Sequence, residues 1–253
     1  MRSRLLLLAL ALVAAAGCSH NRVLLGRDQL APARGDTLAV HSAAMPAGEV
    51  RRVTLRVRSG AVVVAAGRDD SVRATLAVGR TGSRRGHPCD PERAASARVA
   101  IERDADGVVV TSSPNLGDRC HEYWRVEVPS RVALDARAEV ARLVVDGVAG
   151  GVRLSVAVGE IAATVPRGDV DAEVRSVGDV DVRTATDDYA DASAEADVGD
   201  VLIEVDAHRV DAAQAPGPGG RVGLRGRGRD RLRVRSGVGD ATLRIGRAVP
   251  PGP

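Results

Sequence analysis

The sequence predicts an all-β fold arranged as a β-strand-repeat solenoid, β-helix-like, with a β-sandwich as second choice. Three observations lead there. First, apolar and polar residues alternate. Val170, Ala172 and Val174 share one face of their segment, while Asp169, Asp171, Glu173 and Arg175 share the other. A period of two is that of a strand with one dry and one wet side. Second, a glycine–acid corner recurs: "VGEI" at 158–161, "RGDV" at 167–170, "VGDV" at 177–180 and 198–201, "VGDA" at 238–241. Its glycines lie 9, 10, 21 and 40 residues apart, close to one, one, two and four units of ten. A short fixed period with the same corner marks a strand-repeat array. Glycine accepts the positive φ of a corner, and the aspartate carboxylate can bond local backbone N–H groups. A sandwich also places strands about every 8–12 residues, but it does not require one corner dipeptide to recur. Third, the chain is 44% hydrophobic but only 1% aromatic, with no Phe. Val, Ala and Leu build thin layers that suit narrow stacked strands.

The elements follow in order. "MRSR" and the 12-residue run "LLLLALALVAAA" read as the start of an export signal. The run is too short for a membrane span, which needs about 20 residues. It ends in "AAAGCSH", which resembles a bacterial lipobox: small residues at Ala15, Ala16 and Gly17, then Cys18. The resemblance implies a signal peptide over 1–17, cleavage before Cys18, and lipid on that cysteine. Ala15 replaces the usual Leu, and Ser19 resembles outer-membrane sorting. Acyl chains contribute about 0.8 kcal/mol per buried methylene, enough for stable anchoring when two or more are present. Cleavage removes Arg2 and Arg4, which leaves 34 basic against 33 acidic residues and a formal charge of +1 rather than +3. The pI of 9.1 is therefore no nucleic-acid signature, and no nucleic-acid partner is expected.

The lipidated cysteine and a tether occupy 18–48, an N-terminal β region 49–128, the solenoid 129–247, and a disordered tail 248–253. With Cys18 assigned to lipid, Cys89 and Cys120 remain, and an oxidising compartment favours a disulfide between them. A zinc site with His87 and His121 ranks behind, because Cys120 and His121 are adjacent, which is poor geometry for one tetrahedral ion. Strands are expected at 51–57, 60–67 and 71–78, and a hairpin joins "ARVAIER" to "GVVVTSS" across "DADG". Residues 79–92 read as a loop.

From about residue 122 the alternation tightens. The stretches "VPSRVALDARAEVARLVVDGVAGGVRLSVAVGEI" and "RGDVDAEVRSVGDVDVRTAT" resemble the bacterial putative-adhesin β-strand-repeat family. The resemblance covers about 122–246 well and 49–112 more loosely. It implies a β-helix-like fold and an adhesin-like role, and it brings no catalytic residues. Residues 207–230 depart from the rhythm with a Pro/Gly-rich segment.

Chemistry-bearing groups are sparse. Asp169, Asp171, Asp179, Asp181 and Asp200 recur at corners, and Asp187, Asp188 and Asp191 cluster, but the G-G-x-G-x-D run of calcium β-rolls is absent. These acids read as a solvated face with intramolecular ion pairs, and no metal or cofactor is expected. All 36 basic residues are Arg. In "RGRGRDRLRVR" they fall at 225, 227, 229, 231, 233 and 235, so an extended chain aligns Arg225, Arg227, Arg229, Arg231, Arg233 and Arg235 as a polyanion-binding strip. The plainer alternative is a face that pairs with acids of neighbouring coils.

No G-x-S-x-G is present, and "HEYWR" has Arg125 where a zincin needs its second histidine. Tyr123, Trp124 and Tyr189 are the only aromatics, with Tyr123 and Trp124 expected to point to opposite sides of a strand. The sequence thus points to an exported, non-enzymatic envelope lipoprotein, an adhesin-like or scaffold module. It would present a rigid charged β face to an envelope protein or anionic surface polymer. The alternative is a β-helix enzyme acting on envelope polysaccharide.

Overall fold

The structure, a computed structural model, describes residues 37–80, 89–105, 107–114, 116, 120–206, 208–210 and 219–246. The signal peptide, Cys18, His87 and the 248–253 tail lie outside the described residues. The strands are β1 (Thr37–Pro46), β2 (Arg52–Gly67), β3 (Ser71–Arg80), β4 (Arg98–Asp104), β5 (Gly107–Ser113), β6 (Cys120–Pro129), β7 (Ala133–Asp146) and β8 (Val152–Val165). There follow β9 (Val170–Val177), β10 (Val180–Thr184), β11 (Tyr189–Val198), β12 (Val201–Val205), β13 (His208–Val210), β14 (Gly220–Arg225), β15 (Asp230–Val238) and β16 (Ala241–Ile245). Among the described residues there is one short helix, α1 (Pro91–Ser96), between β3 and β4. The fold is all-β, and its strands join into a single mixed sheet that does not close on itself.

Each coil is a first half-strand, a corner and a second half-strand. In β2, β7 and β8 the two halves are continuous through corners at Gly60, Ala141 and Gly159; β9–β10, β11–β12 and β15–β16 are divided at Gly178, Gly199 and Gly239. Successive coils pair in parallel and in register, so first halves stack on first halves and second halves on second halves. The halves enclose one aliphatic core. Leu154, Ala172, Val234 and Ala194 form one inward column, and Ala163, Val182, Leu243 and Ile203 another. Each is at most 4% exposed, and burying such a Val or Leu contributes about 1.5–3 kcal/mol.

The repeating unit differs from the ten-residue beat read in the sequence. Gly159 and Gly178 occupy equivalent corners one full coil apart. Gly168, at φ +96°, turns the opposite corner and packs against Gly151. Two corner types alternate, so the true unit is a coil of twice the beat. Stacking also begins earlier than expected, because β2 already runs beside β7 through both halves. The boundary placed at 128/129 therefore crosses a continuous stack. Strand β1 begins at Thr37, inside the stretch read as tether, and pairs antiparallel with β3.

The C-terminal coils do not stack in chain order. β15 lies between β9 and β11, and β16 lies between β10 and β12. The last coil is thus inserted between the two that precede it. Among its described residues, the 40-residue gap between Gly199 and Gly239 holds no further coils in sequence. It contains β13, antiparallel to β12, and β14, antiparallel to β11. From β14 the chain crosses the start of β11 to enter β15 on the other side. The crossing is held by Gly226 N–H to the Ala190 carbonyl and Gly228 N–H to the Tyr189 carbonyl, both at 2.9 Å. A Cβ on either glycine would collide with backbone of Tyr189 or Asp188. The alternation of "RGRGRD" follows from this crossing rather than from an extended strip.

At the other end β6 continues the stack beside β2, while β3 and β1 add antiparallel to it; β5 runs beside β2 and pairs with β4 as the hairpin expected from the sequence. A disulfide joins Cys89 to Cys120, whose Cα atoms are 4.7 Å apart. Helix α1 occupies part of the presumed loop. Asp90 caps it by accepting the Glu92 N–H at 2.9 Å, and Pro91 opens the first turn.

Candidate anion-binding face

The outer side of the first half-sheet carries charge in rungs. Arg153, Asp171, Arg233, Ser193 and Gly223 lie side by side across β8, β9, β15, β11 and β14. Two residues earlier, Asp169, Arg231, Asp191 and Arg225 make a second rung; two residues later, Glu173, Arg235, Glu195 and Arg221 make a third. Strand alternation places these side chains outward while Val170, Leu232, Ala192 and Val222 point into the core.

Ser193 and Gly223 are the small members of the middle rung. They leave an open depression of about 660 Å³, rimmed by Arg153, Arg221, Arg225, Arg231 and Arg233 with Asp169, Asp171 and Asp191. Two of the three acids are occupied. Arg153 pairs with Asp171 at 3.5 Å, and an Asp169 oxygen accepts the Arg231 backbone N–H at 2.8 Å. Arg221, Arg225, Arg231 and Arg233 make no ion pair among the described residues. Four exposed guanidinium groups with free donors therefore surround one depression, and such groups bind carboxylate or phosphate in bidentate fashion.

The six arginines of the sequence strip are dispersed. Arg231, Arg233 and Arg235 share the outer side of β15, Arg225 lies across β11 on β14, and Arg227 and Arg229 ride the crossing turn. Arg235 is bound between Glu173 at 3.9 Å and Glu195 at 3.6 Å, and Arg229 faces Asp188 at 3.7 Å. Arg221, Arg153 and Ser193 were not singled out in the sequence. Only the strand order brings them to Arg233, since "GGRVGLRGR" reads as an interruption until β14 is seen to pair with β11.

The corner aspartates are engaged with the scaffold. Asp179 accepts the Asp240 N–H at 2.8 Å, and Asp240 accepts the Asp200 N–H at 3.0 Å. These bonds run between coils, not to the local backbone as the sequence suggested. Asp181 and Glu204 grip Arg244 from either side, the latter at 2.8 Å. Burial opposes the Arg244 charge, but the two carboxylates outweigh it and raise its pKa. In the N-terminal region Trp124 is buried and donates to Glu122 at 2.8 Å, while Tyr123 faces the other way, with its ring 4.6 Å from that of His121. Burial lowers the His121 pKa.

No family model matches the chain, and no curated protein matches its sequence. Among solved structures, a putative cell adhesion protein from Clostridium sporogenes aligns with 82% of this chain and 99% of its own, at 9% identity and a TM-score of 0.46. A putative adhesin from Bacteroides fragilis aligns with 82% of this chain and 97% of its own, at 10% identity and a TM-score of 0.27. No helix among the described residues is long and apolar enough to cross a membrane.

Proposed function

We propose that the protein is a non-enzymatic, lipid-anchored binding module of the bacterial cell envelope that presents its arginine-rimmed face to an anionic surface polymer, in an adhesin-like role. The observation that carries this reading is the set of four guanidinium groups, Arg221, Arg225, Arg231 and Arg233, that surround one depression and make no ion pair among the described residues. A rigid stack holds them at fixed spacing, so little conformational entropy is lost when a repeating polyanion binds. Successive uronate or phosphate groups engaging neighbouring arginines add avidity without any deep cleft. Anchoring rests on the "MRSR…AAAGCSH" segment and Cys18, and the resemblance of Ser19 to an outer-membrane sorting residue supports that location. The scaffold role of the aspartates supports a binding role over a hydrolytic one.

The test is titration of the full chain with polygalacturonate, with neutral dextran as control. Replacing Arg221, Arg225, Arg231 and Arg233 by Ser should weaken polygalacturonate binding more than tenfold and flatten its salt dependence. Equal binding by parent and variant removes the reading.

A further inference from the structure

We propose that Val140, Val158, Val177, Val238 and Val198 form a docking ridge for a cationic amphipathic helix of a partner protein. The five valines are between 40% and 56% exposed, and with Val40 they are the exposed large hydrophobics among the described residues. They are in register from coil to coil: Val140 beside Val158, Val158 beside Val177, Val177 beside Val238, Val238 beside Val198. Each stands one residue before its corner position, Ala141, Gly159, Gly178, Gly239 or Gly199. The coil needs no apolar residue there, since the chain is turning toward solvent and the core columns have already been filled. Single exposed valines are ordinary; a continuous ladder of them marks a contact surface.

Charge and spacing define the occupant. Glu139 and Asp197 precede the ridge by one residue, and Glu160, Asp179, Asp240 and Asp200 follow it by two. Arg58 offsets Glu139 at 3.6 Å and Arg142 offsets Glu160 at 3.3 Å. Asp179, Asp197, Asp200 and Asp240 have no ion-pair partner among the described residues. The ridge is therefore bordered by uncompensated negative charge. A second copy docked ridge to ridge would set carboxylates against carboxylates, and an anionic membrane surface is repelled in the same way. A cationic partner is attracted.

Neighbouring valines lie about 4.8 Å apart along the stack, so the ridge is about 19 Å long. Same-face residues of an extended strand repeat at about 6.8 Å and fall out of step. Helical turns repeat at about 5.4 Å and stay nearly in step, so a helix of about 13 residues with one apolar stripe covers the ridge. Its basic flanks then meet the aspartates.

The probe is a labelled leucine/lysine peptide of about 14 residues with a single leucine stripe, titrated by fluorescence anisotropy against the full chain. Val158→Thr, Val177→Thr and Val238→Thr together keep the β-branched shape while adding hydroxyls, and should weaken the peptide at least tenfold. A scrambled peptide of the same composition should bind at least tenfold more weakly than the striped one. Asp197→Asn with Asp200→Asn, which alters no apolar contact, should weaken binding severalfold, and the four-arginine variant should bind the cationic peptide at least as tightly as the parent. The proposal fails if the threonine variant folds and binds like the parent, or if the scrambled peptide binds equally. It fails equally if sedimentation shows a dimer that the threonine variant abolishes, because the ridge is then a self-interface.

Discussion

The carboxylate of Asp179 accepts the backbone N–H of Asp240 at 2.8 Å, 61 residues further along the chain but one rung away in the stack. Asp240 repeats the contact on Asp200. This ladder explains why the acid follows the corner glycine: its oxygen reaches the next coil just where the turn interrupts the regular backbone ladder. Asp179→Ala should cost about 1 kcal/mol and lower the melting temperature by about 2–4 °C. Asp179→Asn keeps an acceptor oxygen and relieves repulsion between stacked acids, so it should match or exceed the parent. Thermal melts of the two variants decide it; equal losses would mean that the hydrogen bond contributes nothing.

The corner glycines answer to close approach as much as to dihedral angle. Gly178 sits at φ +137°, and a Cβ there would overlap the Gly159 carbonyl of the preceding coil. Gly48, at φ +52°, has nothing within 4 Å of its would-be Cβ. Gly178→Ala should therefore cost about 4 kcal/mol or more, because backbone must move apart in a parallel ladder. Gly48→Ala should cost about 1–2 kcal/mol, the penalty of the left-handed conformation alone. Urea unfolding of both proteins measures the difference, and similar midpoints would refute the steric account.

Some of this was legible in the sequence. The alternation in "DVDAEVR" and "DVDVRT" places Val170, Ala172, Val174, Val180 and Val182 inward, as found, because a period of two has one physical meaning. What could not be read was which strand neighbours which. Residues 230–245 carry the same pattern as 189–205, and nothing local says that the later coil enters first. For the same reason Arg221 and Arg233 appear unrelated until β11 is placed between β14 and β15. Doubling of the beat was also hidden, since Gly168 and Gly178 look alike although they turn opposite corners. Helix α1 had a readable signal in Asp90 and Pro91 that was masked by its Gly/Arg-rich surroundings.

Glu122 links stability to pH. It is 4% exposed, with Trp124 Nε1–H as donor to its carboxylate. Burial raises its pKa, while the Trp124 hydrogen bond and the Arg58 charge oppose the rise. A folded pKa above the unfolded one means that the native state holds the proton more tightly. The carboxyl therefore lowers stability progressively as pH rises from about 4, its ordinary range, and the loss is complete above its folded pKa. Glu122→Gln retains an acceptor for Trp124 and removes the charge. The variant should be more stable than the parent at pH 7, with the gap closing as pH falls toward 4. Urea midpoints across that range test it; a gap that widens on acidification would contradict the burial account.

The inserted last coil makes the C-terminus unlike the end of an ordinary repeat array, where the terminal unit has one neighbour and can be removed at the expense of one interface. Here β15 is hydrogen-bonded to both β9 and β11, and β16 to both β10 and β12. Leu232, Val234, Leu243 and Ile245 fill core positions between coils on either side. Asp230 adds a clamp, accepting the Gly168 N–H at 2.9 Å and the Thr186 hydroxyl at 3.1 Å. A chain ending at Arg229 lacks the middle of its own stack, so the coil 189–205 should separate from the coil 170–184 and lose protection. Limited proteolysis of that truncated protein should cut freely beyond residue 185 and leave a resistant fragment ending near Thr184, while the full chain resists throughout 120–206. Retained protection of 189–205 would show that this coil can pair directly with β9 and β10, and would overturn the insertion as a requirement for its folding.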